Sequence, residues 1–262
     1  MQVAGSHAVI TGASRGIGES IARELAKNGA LVTLVARNEI AITHLAKELG
    51  GHHVAADLAD PASVDGLIAR CEKVAGRPVD ILVNNAGTEV TKRFTEITSD
   101  EISTIHQVNL VSPIELCRQV VPGFIERGAG HIVNVSSMAA SAGFPGLSVY
   151  CSTKSGLSHF TRVVRQDLKG TPVKLTAVEI GPIPTDMLDS VNEYPPTERC
   201  FARFRHLQLM PNVPRERVAK STVRGIERDK QSVWLPKRAA IFPFLVGLPQ
   251  RISAQLIRNI MP

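Results

Sequence analysis

At 262 residues, with 44% hydrophobic and 21% charged side chains, the chain carries enough apolar content to bury a core of its own, which excludes wholesale disorder. Thirty basic against twenty-four acidic residues leave a formal charge of +6, a mild excess that suits phosphate-bearing partners and gives no indication of nucleic-acid binding. Cys71, Cys117, Cys151 and Cys200 lie far apart with no Cys-x-x-Cys pair, so neither a metal site nor a disulfide framework is expected, and a cytoplasmic location fits best. The first residues run into an apolar strand without a basic n-region, an h-region or a cleavage site; no secretory leader is expected, and the mature protein is expected to begin here.

From His7 to Ile180 short β-branched runs alternate with amphipathic stretches of helical period, the pattern of repeated βαβ units. The runs at 7–11, 31–36, 52–57, 80–85, 131–136, 173–179 and 231–235 are rich in Val, Ile and Leu, as strands buried on both faces must be. They predict a single doubly wound, Rossmann-type α/β domain over residues 1–262 with a seven-stranded parallel sheet. The first helix is expected to open near Gly16 and stop at Asn28-Gly29, where glycine readily takes the left-handed conformation. Asp60-Pro61 supplies a cap and a first-turn proline for another.

Over 186–214 the periodicity weakens, prolines appear, and Met187, Leu188, Phe201, Phe204, Leu207, Leu209 and Met210 supply apolar surface, so this segment is expected to form a substrate lid. A helix at 215–228 and the strand at 231–235 follow. Residues 236–262 read as a basic and apolar C-terminal extension with no acid after Leu235, where Lys237, Arg238, Arg251 and Arg258 are basic. The apolar run 239–248 is too short to span a bilayer, while Ile252, Leu256, Ile257 and Ile260 recur at helical spacing. Three roles suit this tail: capping the substrate pocket, joining a dimer, or making peripheral contact with an anionic membrane. Intramolecular or dimer packing is favoured.

Thr11-Gly12-Ala13-Ser14-Arg15-Gly16-Ile17-Gly18 follows a strand and opens a helix, so its glycines permit a tight turn and bring backbone N–H groups toward a pyrophosphate. The spacing is Gly-x-x-x-Gly-x-Gly, and close strand–helix packing alone would also use glycines here. Tyr150-Cys151-Ser152-Thr153-Lys154 places a phenol and an ammonium four residues apart on one helical face, where the cation favours phenolate and draws the phenol toward a useful range for proton transfer.

Together these segments resemble the short-chain dehydrogenase/reductase family over roughly residues 5–185. The resemblance assigns the cofactor to Gly12, Ser14, Arg15, Gly16, Ile17 and Gly18, to Asp57 and Leu58 after strand three, and to Asn84, Ala86 and Gly87 in Asn84-Asn85-Ala86-Gly87. It places Ser137, thirteen residues before Tyr150, and Asn109 with Tyr150 and Lys154 in a catalytic group. It implies that Tyr150 protonates a carbonyl oxygen, Ser137 polarises it, Lys154 holds the nicotinamide ribose, and Asn109 keeps a water in a relay to Lys154. Ile180-Gly181-Pro182-Ile183-Pro184-Thr185 resembles the family's carboxamide-binding Pro-Gly-x-x-x-Thr segment with Ile180 in place of the proline, and gives Ile183 and Thr185 to the cofactor.

Ala36 stands where NAD-selective chains place an acid, and Arg37 with Arg15 offers guanidinium groups to a 2′-phosphate, so NADP(H) is preferred over NAD(H). The expected activity is interconversion of a ketone or aldehyde and an alcohol on a hydrophobic, lipid-like, steroid-like or polyketide substrate. The alternatives are a 3-oxoacyl carrier-protein reductase, whose acidic carrier would meet the arginines of 199–228, and a non-catalytic nucleotide-sensing scaffold. A homodimer is expected, and Val233-Trp234-Leu235-Pro236-Lys237-Arg238 departs from the glycine-rich ending that packs the family's tetramers.

Overall fold

The computed structural model describes residues 1–207, 211–238, 240 and 255. Seven strands, β1 (His7–Thr11), β2 (Leu31–Ala36), β3 (His52–Ala55), β4 (Ile81–Asn84), β5 (Gly130–Ser137), β6 (Val173–Ile180) and β7 (Ser232–Leu235), form one sheet in the order β3-β2-β1-β4-β5-β6-β7. Every pairing is parallel, as in Val9 opposite Thr33 and Leu82, and Ser137 opposite Ile180. The doubly wound α/β fold read from the sequence is therefore the one observed. β3 and β4 are shorter than the apolar runs suggested, because pairing with β2 and β5 ends at Ala55 and Asn84 and the chain then turns toward the cofactor end.

Helices cover both faces. On one, α1 (Gly16–Lys27), α2 (Glu39–Leu49) and α10 (Arg215–Glu227) lay Ile21, Leu25, Ile42, Val218 and Ile226 on the sheet. On the other, α4 (Leu67–Ala75), α6 (Ser112–Glu126) and α7 (Ser148–Asp167) contribute Leu67, Cys71, Leu116, Phe124 and Val164. α1 ends at Lys27 with Gly29 left-handed, as the Asn28-Gly29 pair predicts. Asp60 caps the next helix through Ala62 N at 3.0 Å, but this α3 (Pro61–Val64) lasts one turn before an extended Asp65 interrupts it ahead of α4.

α5 (Ser99–His106) opens on a capping box made by Thr98 and Glu101 and runs through a π-helical turn, Gln107–Val111, into α6. Among the described residues of 186–214, the segment expected to form a lid, lie two helices, α8 (Asp186–Asn192) and α9 (Pro195–His206). Thr197, Cys200, Phe201 and Phe204 repeat at helical spacing, and all are buried; Phe201 and Phe204 meet Phe144 edge-on, with ring centroids 5.1 and 5.6 Å away. Leu209, Met210 and the tail assignments at 239, 241–248, Arg251, Ile252, Leu256, Ile257, Arg258 and Ile260 lie outside the described residues.

Candidate active site

The strand order reverses between β1 and β4, so the loops leaving these strands diverge and open a crevice at the carboxyl end of the sheet. The glycine turn lines it. Thr11 Oγ1 accepts from Asn85 N at 3.0 Å and Ala86 N at 3.1 Å, while Asn85 Nδ2 donates to Thr11 O at 3.0 Å and Gly12 O at 3.3 Å. The turn is thus strapped to the end of β4. Gly12 is left-handed, and a Cβ there would lie 2.7 Å from Ala86 Cα; one on Gly18 would lie 2.2 Å from Gly12 O. Only bare backbone fits at these two points. Arg15, before α1, caps it with no side-chain bond, leaving first-turn amides available to an anion.

Ser14, Gly16 and Ile17 are half-buried along this turn, and Thr185 faces it, with Cγ2 3.6 Å from where a Gly16 Cβ would stand. Arg15 and Arg37 are both exposed beside the crevice, but Arg15 Nη1 donates to Asp186 Oδ2 at 2.6 Å, a partner at the start of α8 that lay 171 residues away in sequence. Asp57 is half-buried after β3, its Oδ1 accepting from Ala59 N at 3.0 Å; buried Leu58 accepts from Ser112 Oγ at 2.7 Å. Asn84 turns its side chain inward, donating to Asn134 Oδ1 at 2.9 Å, so its amide braces β4 against β5. Asn85, which the sequence reading passed over, holds the turn; the only signal for it was its place in the Asn-Asn-Ala-Gly run. Ile183 is buried, and its carbonyl accepts from Thr185 Oγ1 at 3.2 Å.

Ser137 ends β5, and Tyr150 and Lys154 project from the first two turns of α7. The Tyr150 hydroxyl is hydrogen-bonded to Ser137. Burial pushes the phenol well above its usual range, with Cys151 and Glu89 adding to the rise and Ser137 opposing it. The sequence reading expected Lys154 to draw the phenol toward neutrality. Desolvation outweighs it here, since the Lys154 ammonium lies 5.8 Å from the ring centroid. The result is a phenol that keeps its proton at neutral pH.

Lys154 is 4% exposed, and its Nζ donates to Val135 O at 3.1 Å. Burial lowers the ammonium to about 8, against the pull of Glu179. A Cβ on Gly87 would lie 3.5 Å from both Lys154 Nζ and Asn109 Oδ1, so the Asn-Asn-Ala-Gly loop reaches these two residues directly. Asn109, fully buried in the π-helical turn, donates to Thr88 O at 2.8 Å and Thr153 Oγ1 at 3.2 Å and accepts from Thr88 N at 2.9 Å. Among the described residues no cluster of metal-ligating side chains occurs, and no helix is long and apolar enough to cross a membrane.

A glycine-lined turn at the switch point, beside a half-buried serine and tyrosine and a buried lysine, is the arrangement of a dinucleotide-dependent oxidoreductase class. Residues 6–195 match the family model for short chain dehydrogenases, and the chain belongs to that family, whose members bind nicotinamide cofactors and act on carbonyl and alcohol groups. It is 37% identical over 179 residues to the ketoacyl reductase HetN of Nostoc sp., a match covering 66% of this chain and 62% of that one, so it spans less than two thirds of that relative. To the L-xylulose reductase of Bos taurus it is 37% identical over 71% of this chain and 75% of the other. A metagenomic short-chain oxidoreductase solved in complex with NADP superposes with a TM-score of 0.64 at 31% identity, covering 70% of this chain and 84% of its own.

Proposed function

We propose that the chain is an NADP(H)-dependent oxidoreductase that interconverts a ketone or aldehyde and an alcohol on a hydrophobic substrate. The observation that carries this reading is the half-buried Tyr150, hydrogen-bonded to Ser137 and one helical turn from buried Lys154, at the mouth of the glycine-turn crevice. The bare-backbone cradle at Gly12 and Gly18 fits a pyrophosphate. When bound, the nicotinamide supplies or accepts hydride.

In the reductive direction Tyr150 Oη holds a proton and gives it to the substrate oxygen, and its raised affinity for that proton keeps it loaded. Ser137 Oγ donates to the same oxygen and stabilises its developing charge. Lys154 binds the nicotinamide ribose hydroxyls, and Asn109 orients a water that returns a proton toward Lys154. Gly12, Ser14, Arg15, Gly16, Ile17 and Gly18 hold the pyrophosphate end. Asp57 and Leu58 flank the adenine, Ala86 and Gly87 with the Asn84 backbone the adenosine ribose, and Ile183 and Thr185 the carboxamide, while the Asn84 side chain faces the core instead. Arg37 and Arg15 receive the 2′-phosphate, which meets no acid at Ala36.

Residues 186–214 act as the lid of a single domain that includes the 236–262 extension. Half-buried Leu188, packed on the buried Phe144, Phe201 and Phe204 cluster, supplies apolar surface that favours a hydrophobic substrate. A cytoplasmic homodimer is part of the proposal, with the extension assigned to intramolecular or dimer packing ahead of contact with a membrane surface. A second reading, a 3-oxoacyl carrier-protein reductase, draws on the relative named a ketoacyl reductase; carrier-linked against free substrates would separate the two.

The cofactor assignment is tested by titrating NADPH and NADH against wild type and Arg37→Ala, following nicotinamide fluorescence. NADPH is expected to bind at least about tenfold more tightly, a difference of about 1.4 kcal/mol, and Arg37→Ala to remove most of that margin. Tighter NADH binding would refute the arginine reading.

A further inference from the structure

Across the strand pair from Ser136 sits a buried acid that the mechanism above does not use. Glu179 is the seventh residue of β6 and 2% exposed, in register with Ser136 on β5 and Trp234 on β7. Its carboxylate accepts from Ser158 of α7 and from Ser136, and its Oε2 has no hydrogen-bond partner among the described residues. Ser136 Oγ lies 2.6 Å from Ser158 Oγ and donates to the Lys154 main-chain oxygen at 3.1 Å. The charged groups acting on Glu179 are Lys154 and Arg162, both on α7, while its register neighbours Ser136 and Trp234 are neutral. An unpaired charge in such a place costs free energy, so an acid is retained here at a penalty that an alanine would avoid.

We propose that Glu179 is a positioning residue for Lys154: its protonation state sets the direction of the Ser158–Ser136 hydroxyl chain that ends on the Lys154 main-chain oxygen, and its charge acts on the ammonium across the buried gap with no direct ion pair. Ser136 has one hydroxyl hydrogen and several acceptors within reach. With Glu179 ionised, the hydroxyls of Ser158 and Ser136 are drawn to the carboxylate. With a proton on Glu179, the acid donates to Ser158, Ser158 donates to Ser136, and the Ser136 hydrogen is released to the Lys154 oxygen. Burial pushes Glu179 up to about 7 and Lys154 down to about 8, so both change charge near neutrality, where each affects the other.

The functional meaning rests on the reading of Lys154 as a cofactor-binding catalytic group, whereas the coupling itself can be measured without cofactor or substrate. Full-length protein labelled with ¹³C-lysine would be titrated by NMR, with the Lys154 Cε signal assigned by its loss in Lys154→Arg. Lys154 is expected to titrate near 8, and Glu179→Gln, which keeps shape and cannot ionise, to lower that midpoint by about half a pH unit or more. Should Glu179→Gln fail to fold, Ser158→Ala carries the same test: loss of a donor makes Glu179 harder to ionise and lowers the Lys154 midpoint. An unmoved midpoint in the folded variant overturns the proposal even if the protein reduces carbonyls with NADPH. A moved midpoint in a protein that turns over no carbonyl leaves the coupling standing and removes the oxidoreductase reading.

Discussion

Replacing Gly18 with alanine would put a methyl carbon 2.2 Å from Gly12 O and 2.5 Å from Asn85 Nδ2, both parts of the strap that joins the glycine turn to β4. Gly12 O cannot yield without moving backbone, and the Asn85 amide only by breaking its hydrogen bonds to Thr11 O and Gly12 O. Overpacking of this kind costs about 1–3 kcal/mol, and displacing the Asn85 amide from Thr11 O and Gly12 O adds a lost hydrogen bond, so Gly18→Ala should destabilise by about 3 kcal/mol. Gly16 is the internal control. It is left-handed, but a Cβ there meets only Thr185 Cγ2 at 3.6 Å, so Gly16→Ala should cost only the backbone strain, about 1 kcal/mol. Urea unfolding of both variants, with unchanged slope, measures these losses, and NADPH titration follows the cradle. Gly18→Ala should weaken NADPH by at least about tenfold. Equal losses at the two glycines, or a Gly18→Ala protein with wild-type stability, would refute the argument that backbone contact dictates the glycine at this turn.

The ionisable groups give further expectations. Glu179 is held at about 7 against an ordinary 4.5, so its folded form binds the proton more tightly, and the stability this contributes at low pH is lost as pH rises through 7. Glu179→Gln should therefore gain on wild type between pH 5 and 8 by up to about 3 kcal/mol in urea unfolding; a pH-independent difference would contradict this. Arg15 and Asp186 are 76% and 72% exposed, so their ion pair is worth at most about 1 kcal/mol. If Arg15 serves the 2′-phosphate, Asp186→Asn should tighten NADPH by no more than about fivefold, with the effect fading at about 0.5 M salt, and should leave NADH unchanged.

The sheet was legible because its inner parallel strands, buried on both faces, leave continuous runs of Val, Ile and Leu; the edge strands β3 and β7, exposed in part, carry shorter runs but were placed all the same. What those runs could not reveal was where pairing stops, since Ala56, Asp57 and Asn85 continue the chain without a breaker. The helices α8 and α9 were hidden by Pro195-Pro196, which signalled a loop although prolines suit a first helical turn; the Thr197, Cys200, Phe201, Phe204 spacing was the better signal. At the site, the glycine turn and the Tyr150–Lys154 pair were readable from local spacing. The Arg15–Asp186 pair, the inward turn of Asn84 and the buried acid across from Ser136 were not, because each depends on a partner from another strand or helix. The same limit explains the phenol: residue spacing brings Lys154 near Tyr150, but only the fold sets how deeply both are buried.

The most direct test is hydride transfer by wild type and Tyr150→Phe, measured as NADPH oxidation across a panel of aliphatic, steroid and aromatic ketones, with NADPH binding measured alongside. The account predicts turnover of at least one hydrophobic ketone by wild type, a loss of about 10²–10⁴ in rate for Tyr150→Phe, and NADPH binding unchanged within about threefold. Turnover by Tyr150→Phe at the wild-type rate would contradict the assignment of the proton to this phenol.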